Sequence, residues 1–283
     1  MFDLHRWSIF VVGVLCSLSA GAASAGTKVT LGRNVASSQR YPLDRINHQS
    51  WNALLKKYVD GGGNIDYRAW KASAADVGAL NAYLNHLSHG DPSRASKSAK
   101  LAFWINTYNA VTIKGILREY PTSSIRNHTA KLFGYNIWHD LLLVVGGQSY
   151  SLDQIEHKIL RKTSEPRIHF AIVCASRSCP RLLNQAYTPE KVDEQLELNS
   201  RAFFAQAGNF RYDARASRIY LSSIIDWFEE DFGSSQAARL RTIARWLPDA
   251  ASRKAAAAGR ASVSYLDYDW RLNDQATART ARR

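Results

Sequence analysis

The alternation of apolar and polar positions divides the chain into segments before any single residue is interpreted. Trp51, Leu54, Leu55, Tyr58 and Val59 recur at helical spacing, and Gly61-Gly62-Gly63 closes that helix. Asn64 to Tyr67 reads as a short strand or turn, and a second helix runs from about 73 to 88, ending at His89-Gly90-Asp91-Pro92. The third helix, about 98 to 119, has the sequence SAKLAFWINTYNAVTIKGILREYP. At 100° per residue, Lys100, Thr107, Lys114 and Arg118 share a narrow water-facing arc, and most other positions are apolar, so this helix is expected to be largely buried. Asn106 lies opposite that arc among Ala102, Ala110, Ile113 and Leu117, with Asn109 one turn on. Two amides on an apolar face must tie down a neighbouring loop or border a polar cleft, because an unsatisfied buried amide costs ~1–3 kcal/mol.

Beyond Pro121 the pattern predicts a strand from about Leu141 to Val145 and a Gly146-Gly147 turn. A helix follows that is capped by Ser151 and Gln154 and carries Glu156 and His157. Ile168 to Cys174 is a nearly continuous apolar run, which predicts a strand buried on both faces. Period two would then place His169 and Cys174 on opposite faces about 16 Å apart. A helix from about 189 to 206, a hairpin at Phe210–Tyr212 and Arg218–Leu221, and a Ser222- or Ser223-capped helix through Trp227 and Phe228 come next. A helix at about 235 to 247 and a final strand at 263 to 272 complete the pattern. Helices outnumber strands and do not alternate with them, so the expected fold is α+β, a single helix-rich domain packed around a small mixed sheet. Its expected limits are 45 and 275, after an extended lead-in over 26–44 and before a basic tail over 276–283.

Composition adds a compartment and a charge. Residues 1–25 carry a short basic start, an apolar run from Trp7 to about Leu18 and Ala23-Ser24-Ala25, the layout of a signal peptide cleaved after Ala25. The expected location is therefore periplasmic or secreted, with no transmembrane segment in the mature chain. The formal net charge of +13 favours an anionic partner, such as lipid head groups or envelope polyanions. The basic residues are scattered and no nucleic-acid-binding signature accompanies them, so nucleic acid is not the expected partner. Nothing in the sequence calls for a cofactor or a metal.

The candidate chemistry lies in HFAIVCASRSCPRL, residues 169–182. Four residues separate Cys174 from Cys179, against the two of a thioredoxin-type centre, and the phosphatase-loop and structural-zinc spacings are not met. Three readings stay open: a disulfide, which an oxidising compartment favours; a reactive thiol; and an inert pair. For the reactive thiol, Arg177 and Arg181 would lower the pKa of Cys174, and the loop with Ser176 and Ser178 would form an anion-binding nest. His157 is the preferred base, with His169 and His139 as other candidates, and Asn106 or Asn109 would stabilise an oxyanion. The corresponding function is a cysteine-dependent hydrolase or acyl transferase whose cleft is walled by the Asn106/Asn109 helix, the Glu156/His157 helix and the cysteine loop. The alternatives are a non-catalytic envelope module for an anionic ligand and a thiol–disulfide partner with a Cys174–Cys179 bridge.

Taken in order, WNALLKKYVDGGGNIDY, AFWINTYNAVTI, YSLDQIEHKILR, HFAIVCASRSCPRL, LSSIIDWFEEDFG and YLDYDWRLN resemble the family called domain of unknown function 547, from Trp51 to Asn273. The resemblance implies little about activity. Some eukaryotic members carry the domain beside glutaredoxin-like or DEP domains, an association with thiol chemistry or membrane-proximal signalling. Plant members resemble this chain at His169 and Cys174 but tend to have serine near Cys179. That implies that an obligatory disulfide is not the family's common function and makes Cys174 the favoured centre. Trp138-His139-Asp140 departs from the family pattern, in which a basic residue more often follows the tryptophan, and this puts a role for His139 in doubt.

Overall fold

A computed structural model describes residues 27–129 and 135–280. The expected signal peptide and the last residues of the basic tail lie outside them. The fold is α+β. It begins with strand β1 (Val29–Leu31), the short strand β2 (Tyr41–Pro42) and helices α1 (Gln49–Tyr58), α2 (Tyr67–Ala72) and α3 (Ala74–Leu87). Strand β3 (Gly90–Asp91) pairs with β2 and leads into the long helix α4 (Lys97–Glu119). The short helix α5 (Ile137–Asp140) precedes strands β4 (Leu141–Val145) and β5 (Gln148–Ser151), which form a hairpin with β1 pairing parallel to β4.

Each early helix forms for a local reason. Asp66, Ser73 and Ser96 cap α2, α3 and α4 by accepting backbone N–H bonds. The apolar face of α1 places Trp51 against Tyr83 of α3 in a stacked pair, with Tyr58 stacked on Trp70 of α2 at 4.7 Å. After α1 the chain turns at Gly63 with φ +81°, and a Cβ there would lie 2.5 Å from the Cβ of Arg181, so this glycine lets the loop beyond Cys179 approach. Helix α4 runs through the core. Thr107, expected on a water-facing arc, is fully buried, whereas Arg118 remains exposed. Lys100 and Lys114 are half-buried, so the arc keeps its water-facing side and Thr107 alone is covered.

A short α-helical turn α6 (Leu152–Gln154) begins with the predicted Ser151/Gln154 capping box. It widens into a π-helical turn over Ile155–Leu160 and tightens over Arg161–Thr163. The expected strand at Ile168–Cys174 is not formed. Pro166–Phe170 is a 3₁₀ helix, started by Pro166 and the Glu165 cap, and the chain then runs irregularly into the cysteine loop. The apolar run reflects burial on all sides rather than strand pairing.

Helix α7 (Val192–Phe204) leads to strands β6 (Phe210–Asp213) and β7 (Arg218–Ser222). Helices α8 (Ser223–Trp227), α9 (Glu229–Phe232), α10 (Gln236–Ile243) and α11 (Ala250–Ala258) follow, then strand β8 (Ser262–Leu266) and helix α12 (Gln275–Thr280). The second sheet has the order β6-β7-β8, with β8 parallel to β7. The final strand is therefore shorter than the 263–272 expected.

Two apolar cores result. The larger gathers α1 to α4, the first sheet and residues 168–196. The smaller gathers Phe203, Phe204, the second sheet and α8 to α11, and Phe170 is the residue that enters it from the preceding segment. His169 and the cysteine loop thus sit at the seam between the cores. The last segment crosses that seam: Tyr67 donates to Asn273 and Tyr120 to Asp274, and the Ile65 N–H donates to the Asn273 carbonyl. None of the helices among the described residues is long and apolar enough to cross a membrane.

Candidate functional site

A cleft of about 290 Å³ opens at the seam, and Cys174 and Cys179 both line it. The backbone that delivers Cys174 is held from below by α4. Asn109 donates to the Ala171 carbonyl at 3.0 Å and accepts the Val173 N–H at 2.9 Å, satisfying both ends of its amide. Asn106 grips Tyr187 in the same two-point manner. Neither asparagine lines the cleft. Asn106 or Asn109 was the expected oxyanion stabiliser there, but both amides are committed to backbone, the alternative in which they tie down neighbouring loops.

Cys174 is followed by Ala175 at φ +58°, a left-handed conformation rare for a side chain with a Cβ. This turn brings the chain back so that Cys174 and Cys179, with Cα atoms 6.3 Å apart, pair as a disulfide. The segment after β8 clamps the loop from outside. Arg177 and Ser178 N–H groups donate to Arg271 and Asp269 carbonyls, and Ser178 Oγ accepts the Asp269 N–H. Tyr268 from this segment places its hydroxyl 3.1 Å from Cys174 Sγ, 3.2 Å from Cys179 Sγ and 2.8 Å from Ser176 Oγ. The Cys174 N–H points at Cys179 Sγ at 3.0 Å.

The expected anion-binding set disperses. Arg181 donates to Asn199, Arg177 lines a separate hollow with Arg271 and Asp274, and Ser178 serves the backbone clamp. Only Ser176 remains at the sulfurs, 3.2 Å from Cys174 Sγ.

His169 joins the cysteines instead of facing away from them, because the absent strand removes the alternation that separated them. Its ring is buried, stacks on Phe228 at 4.2 Å and shares a 2.7 Å hydrogen bond through Nε2 with Asp231 Oδ2. Arg161 grips the same carboxylate through Nε and Nη2. Burial lowers the His169 pKa and outweighs the opposing pull of Asp231. Burial alone would raise the Asp231 pKa, but the His169 and Arg161 hydrogen bonds bring it down to about 2. In its neutral form His169 donates Nε2–H to Asp231 and keeps Nδ1 as an acceptor.

His157, the expected base, also lines the cleft, yet Nδ1 lies 3.1 Å from Arg161 and Nε2 is 3.7 Å from Asp153. Its contacts are with these charges and with Phe228, not with a sulfur. His139 also lines the cleft.

Glu156 is the cleft's buried carboxyl. Its one hydrogen bond among the described residues comes from the Tyr108 hydroxyl to Oε2 at 3.1 Å, and burial pushes its pKa up to about 7. The π-helical turn at Ile155–Leu160 aims it inward, a local widening often found at functional sites. Among the described residues no group of three or more His, Cys, Asp or Glu is arranged to hold a metal ion.

Tyr108, Trp138, Trp227, Tyr268, Trp270 and Asp231 escaped attention in the sequence. Their one visible signal was that several fall in the quoted family motifs, where aromatic spacing reads as core packing. Trp227 is 47 % exposed, and the rings of Trp227, Tyr268 and Trp270 pack on one another at 4.5–5.6 Å.

The family model described as "Protein of unknown function, DUF547" matches residues 92–204, which span α4, Glu156, His169 and both cysteines and stop short of Trp227, Asp231 and Tyr268. Comparison with curated proteins and with solved structures found no match.

Proposed function

We propose, for this member of the DUF547 family, that the cleft is a thiol–disulfide exchange site in which Cys174 is the attacking and Cys179 the resolving cysteine. The observation that carries the reading is that both paired cysteines line an open cleft and share the Tyr268 hydroxyl. Cys174 is the part-exposed member and Cys179 is buried behind it, the order an attacking and a resolving cysteine require. An external dithiol first reduces the Cys174–Cys179 bond, closing to its own disulfide; the Cys174 thiolate so formed attacks one sulfur of a bound disulfide, forming a mixed disulfide and releasing one ligand thiolate. Cys179 then attacks Cys174, the Cys174–Cys179 bond closes and the second ligand thiolate leaves, so two electrons pass from protein to ligand. The Cys174 N–H and the Tyr268 hydroxyl are placed to stabilise negative charge on Cys179. Glu156, with a pKa near 7, can hold or release one proton at neutral pH. Export after cleavage near Ala25 is part of the reading, since an oxidising compartment supplies the disulfide state.

The test is alkylation of purified protein followed by mass spectrometry, with and without a dithiol reductant, at Cys174 and Cys179 separately. Protection of both until reductant is added, then faster labelling of Cys174 than of Cys179 and reoxidation by a small disulfide, is the expected result. A pair that reductant opens only after unfolding would refute it.

A second reading, a Cys174-dependent hydrolase or acyl transferase, draws support from the Asp231-held His169 in the same cleft. It requires the free thiol at rest, so rapid labelling of Cys174 without reductant would favour it. Cys174→Ser abolishes activity under both readings, whereas Cys179→Ser abolishes only exchange turnover.

A further inference from the structure

The protein carries a formal charge of +13, yet among the described residues that line the cleft there is no lysine or arginine. Two carboxylates, Asp153 and Glu156, line it instead, together with His139, His157 and His169. Around them stand Trp138, Trp227, Trp270, Tyr108, Tyr268 and Phe228. Burial keeps His157 and His169 below the ordinary histidine range, so neither adds a fixed positive charge at neutral pH. An anion entering this space would meet carboxylates and the negative faces of aromatic rings. A neutral apolar ligand would leave a buried carboxyl facing it. A cation would meet both kinds of group favourably, since an ammonium over an aromatic face gains from the ring quadrupole and gains more when desolvated.

Two walls of the cleft already serve cations from within the chain: the Arg126 guanidinium lies over Trp270 at 5.3 Å and that of Arg161 over Phe228 at 5.4 Å. Trp138, Trp227 and Tyr268 carry no such partner among the described residues. Glu156 is nine-tenths buried, and its sole hydrogen bond engages Oε2.

We infer that the cleft is an ammonium-binding aromatic cage, with the cation-free rings of Trp138 and Trp227 as walls and Glu156 as counter-charge, and that it selects amine-bearing partners. Combined with the exchange chemistry proposed above, on which this part rests, the partner class is aminothiols and their disulfides. Asp153 and His157 from its own helix, Tyr108 from α4, Tyr268 from the closing segment, and Asp231 with its partner Arg161 are the charged or titratable groups that surround Glu156. Of these, Arg161 is the one permanent cation, and its guanidinium is spent on Asp231.

The experiment separates the cage from the sulfur chemistry. Choline and its neutral isostere 3,3-dimethylbutan-1-ol are titrated calorimetrically into the oxidised protein and into the Cys174→Ser variant. Choline should bind about tenfold or more tightly than the isostere in both proteins. Its affinity should strengthen between pH 6 and pH 8 as Glu156 ionises, and Glu156→Gln should erase the preference. Trp227→Ala, at an exposed ring whose loss leaves the cores intact, should weaken choline several-fold and guards against misfolding of the Glu156 variant. Equal binding of choline and isostere, or tighter binding of the anionic isostere 3,3-dimethylbutanoate, overturns the inference.

Exchange is then followed with cystamine and with bis(2-hydroxyethyl) disulfide, each rate taken relative to a free dithiol. Cystamine should be the preferred partner of the wild type, and Glu156→Gln should remove the preference. Choline binding without exchange with either disulfide would retain the cage and sink the exchange reading. Exchange with both at equal relative rates and no choline binding would do the reverse.

Discussion

Replacing Glu156 by glutamine should change how stability depends on pH, and the size of the change follows from the site. Burial raises this carboxyl from 4.5 to about 7, against the lowering effect of the Tyr108 hydroxyl and Arg161. A folded-state pKa above the unfolded one means that the folded protein binds the extra proton between those values, so stability is fully present below about pH 4.5 and is lost as pH rises through 7. Each pH unit in that interval is worth about 1.4 kcal/mol, so ionisation of Glu156 costs the fold roughly 3 kcal/mol. Glutamine keeps an acceptor for Tyr108 and cannot ionise. Relative to wild type, Glu156→Gln should therefore gain about 3 kcal/mol between pH 4.5 and pH 8, or roughly 6–12 °C in Tm for a protein of this size. The lowered histidines His48, His86, His157 and His169 push stability the other way in the same interval, but they are common to both proteins and largely cancel in the difference. The assay is urea unfolding of both proteins across that range. Parallel curves, with a constant offset at every pH, would refute the claim that Glu156 is a buried carboxyl titrating near neutrality.

Asn109→Leu removes both contacts to the strandless run before Cys174 and leaves the Ala171 carbonyl and Val173 N–H buried without partners; chemical unfolding should show a loss of about 2–5 kcal/mol, and alkylation should show altered access to Cys174. Asp231→Asn takes the counter-charge from His169 and Arg161, so the His169 pKa, followed by NMR, should fall further below its ordinary value; an unchanged titration would deny the pairing. Because Asp231 is lowered to about 2, its contribution to stability is present above the unfolded value of 3.8 and is lost as pH falls toward 2, a loss that the Asn variant should lack in acid titration. Tyr268→Phe removes the hydroxyl shared by both sulfurs, and after reduction the relative alkylation rates of Cys174 and Cys179 should shift; identical rates would remove Tyr268 from the mechanism.

Much of the architecture was legible in residue order because it rests on local physics. Helical spacing marked α1, α3 and α4, and the Ser151/Gln154 box marked the start of the Glu156 helix to the residue. Alternation marked β4 and the β6–β7 hairpin, and Gly146-Gly147 marked the turn after β4, whereas β5 gave no signal. The Ile168–Cys174 run misled because a continuous apolar stretch reports burial and not the partner that buries it. Here α4 amides and a second core replace the neighbouring strands, and Pro166 starts a 3₁₀ turn. The same ambiguity hid the role of Asn106 and Asn109, whose amides suit a cleft or a backbone equally well until the backbone is in place.

What the sequence determined by itself was therefore the α+β class, the helices α1, α3, α4 and α7, the β6–β7 hairpin, the family resemblance and Cys174, Cys179, His169, Glu156 and His157 as residues to watch, all five of which line one cleft. What only the tertiary structure decided was their company. Asp231 reaches His169 across 62 positions and Tyr268 reaches the sulfurs across 94 and 89. The physical reason is that no periodicity links such distant positions: the two cores must first pack, with Phe170 crossing between them, before the closing segment can bring Tyr268 and Trp270 onto the cysteine loop.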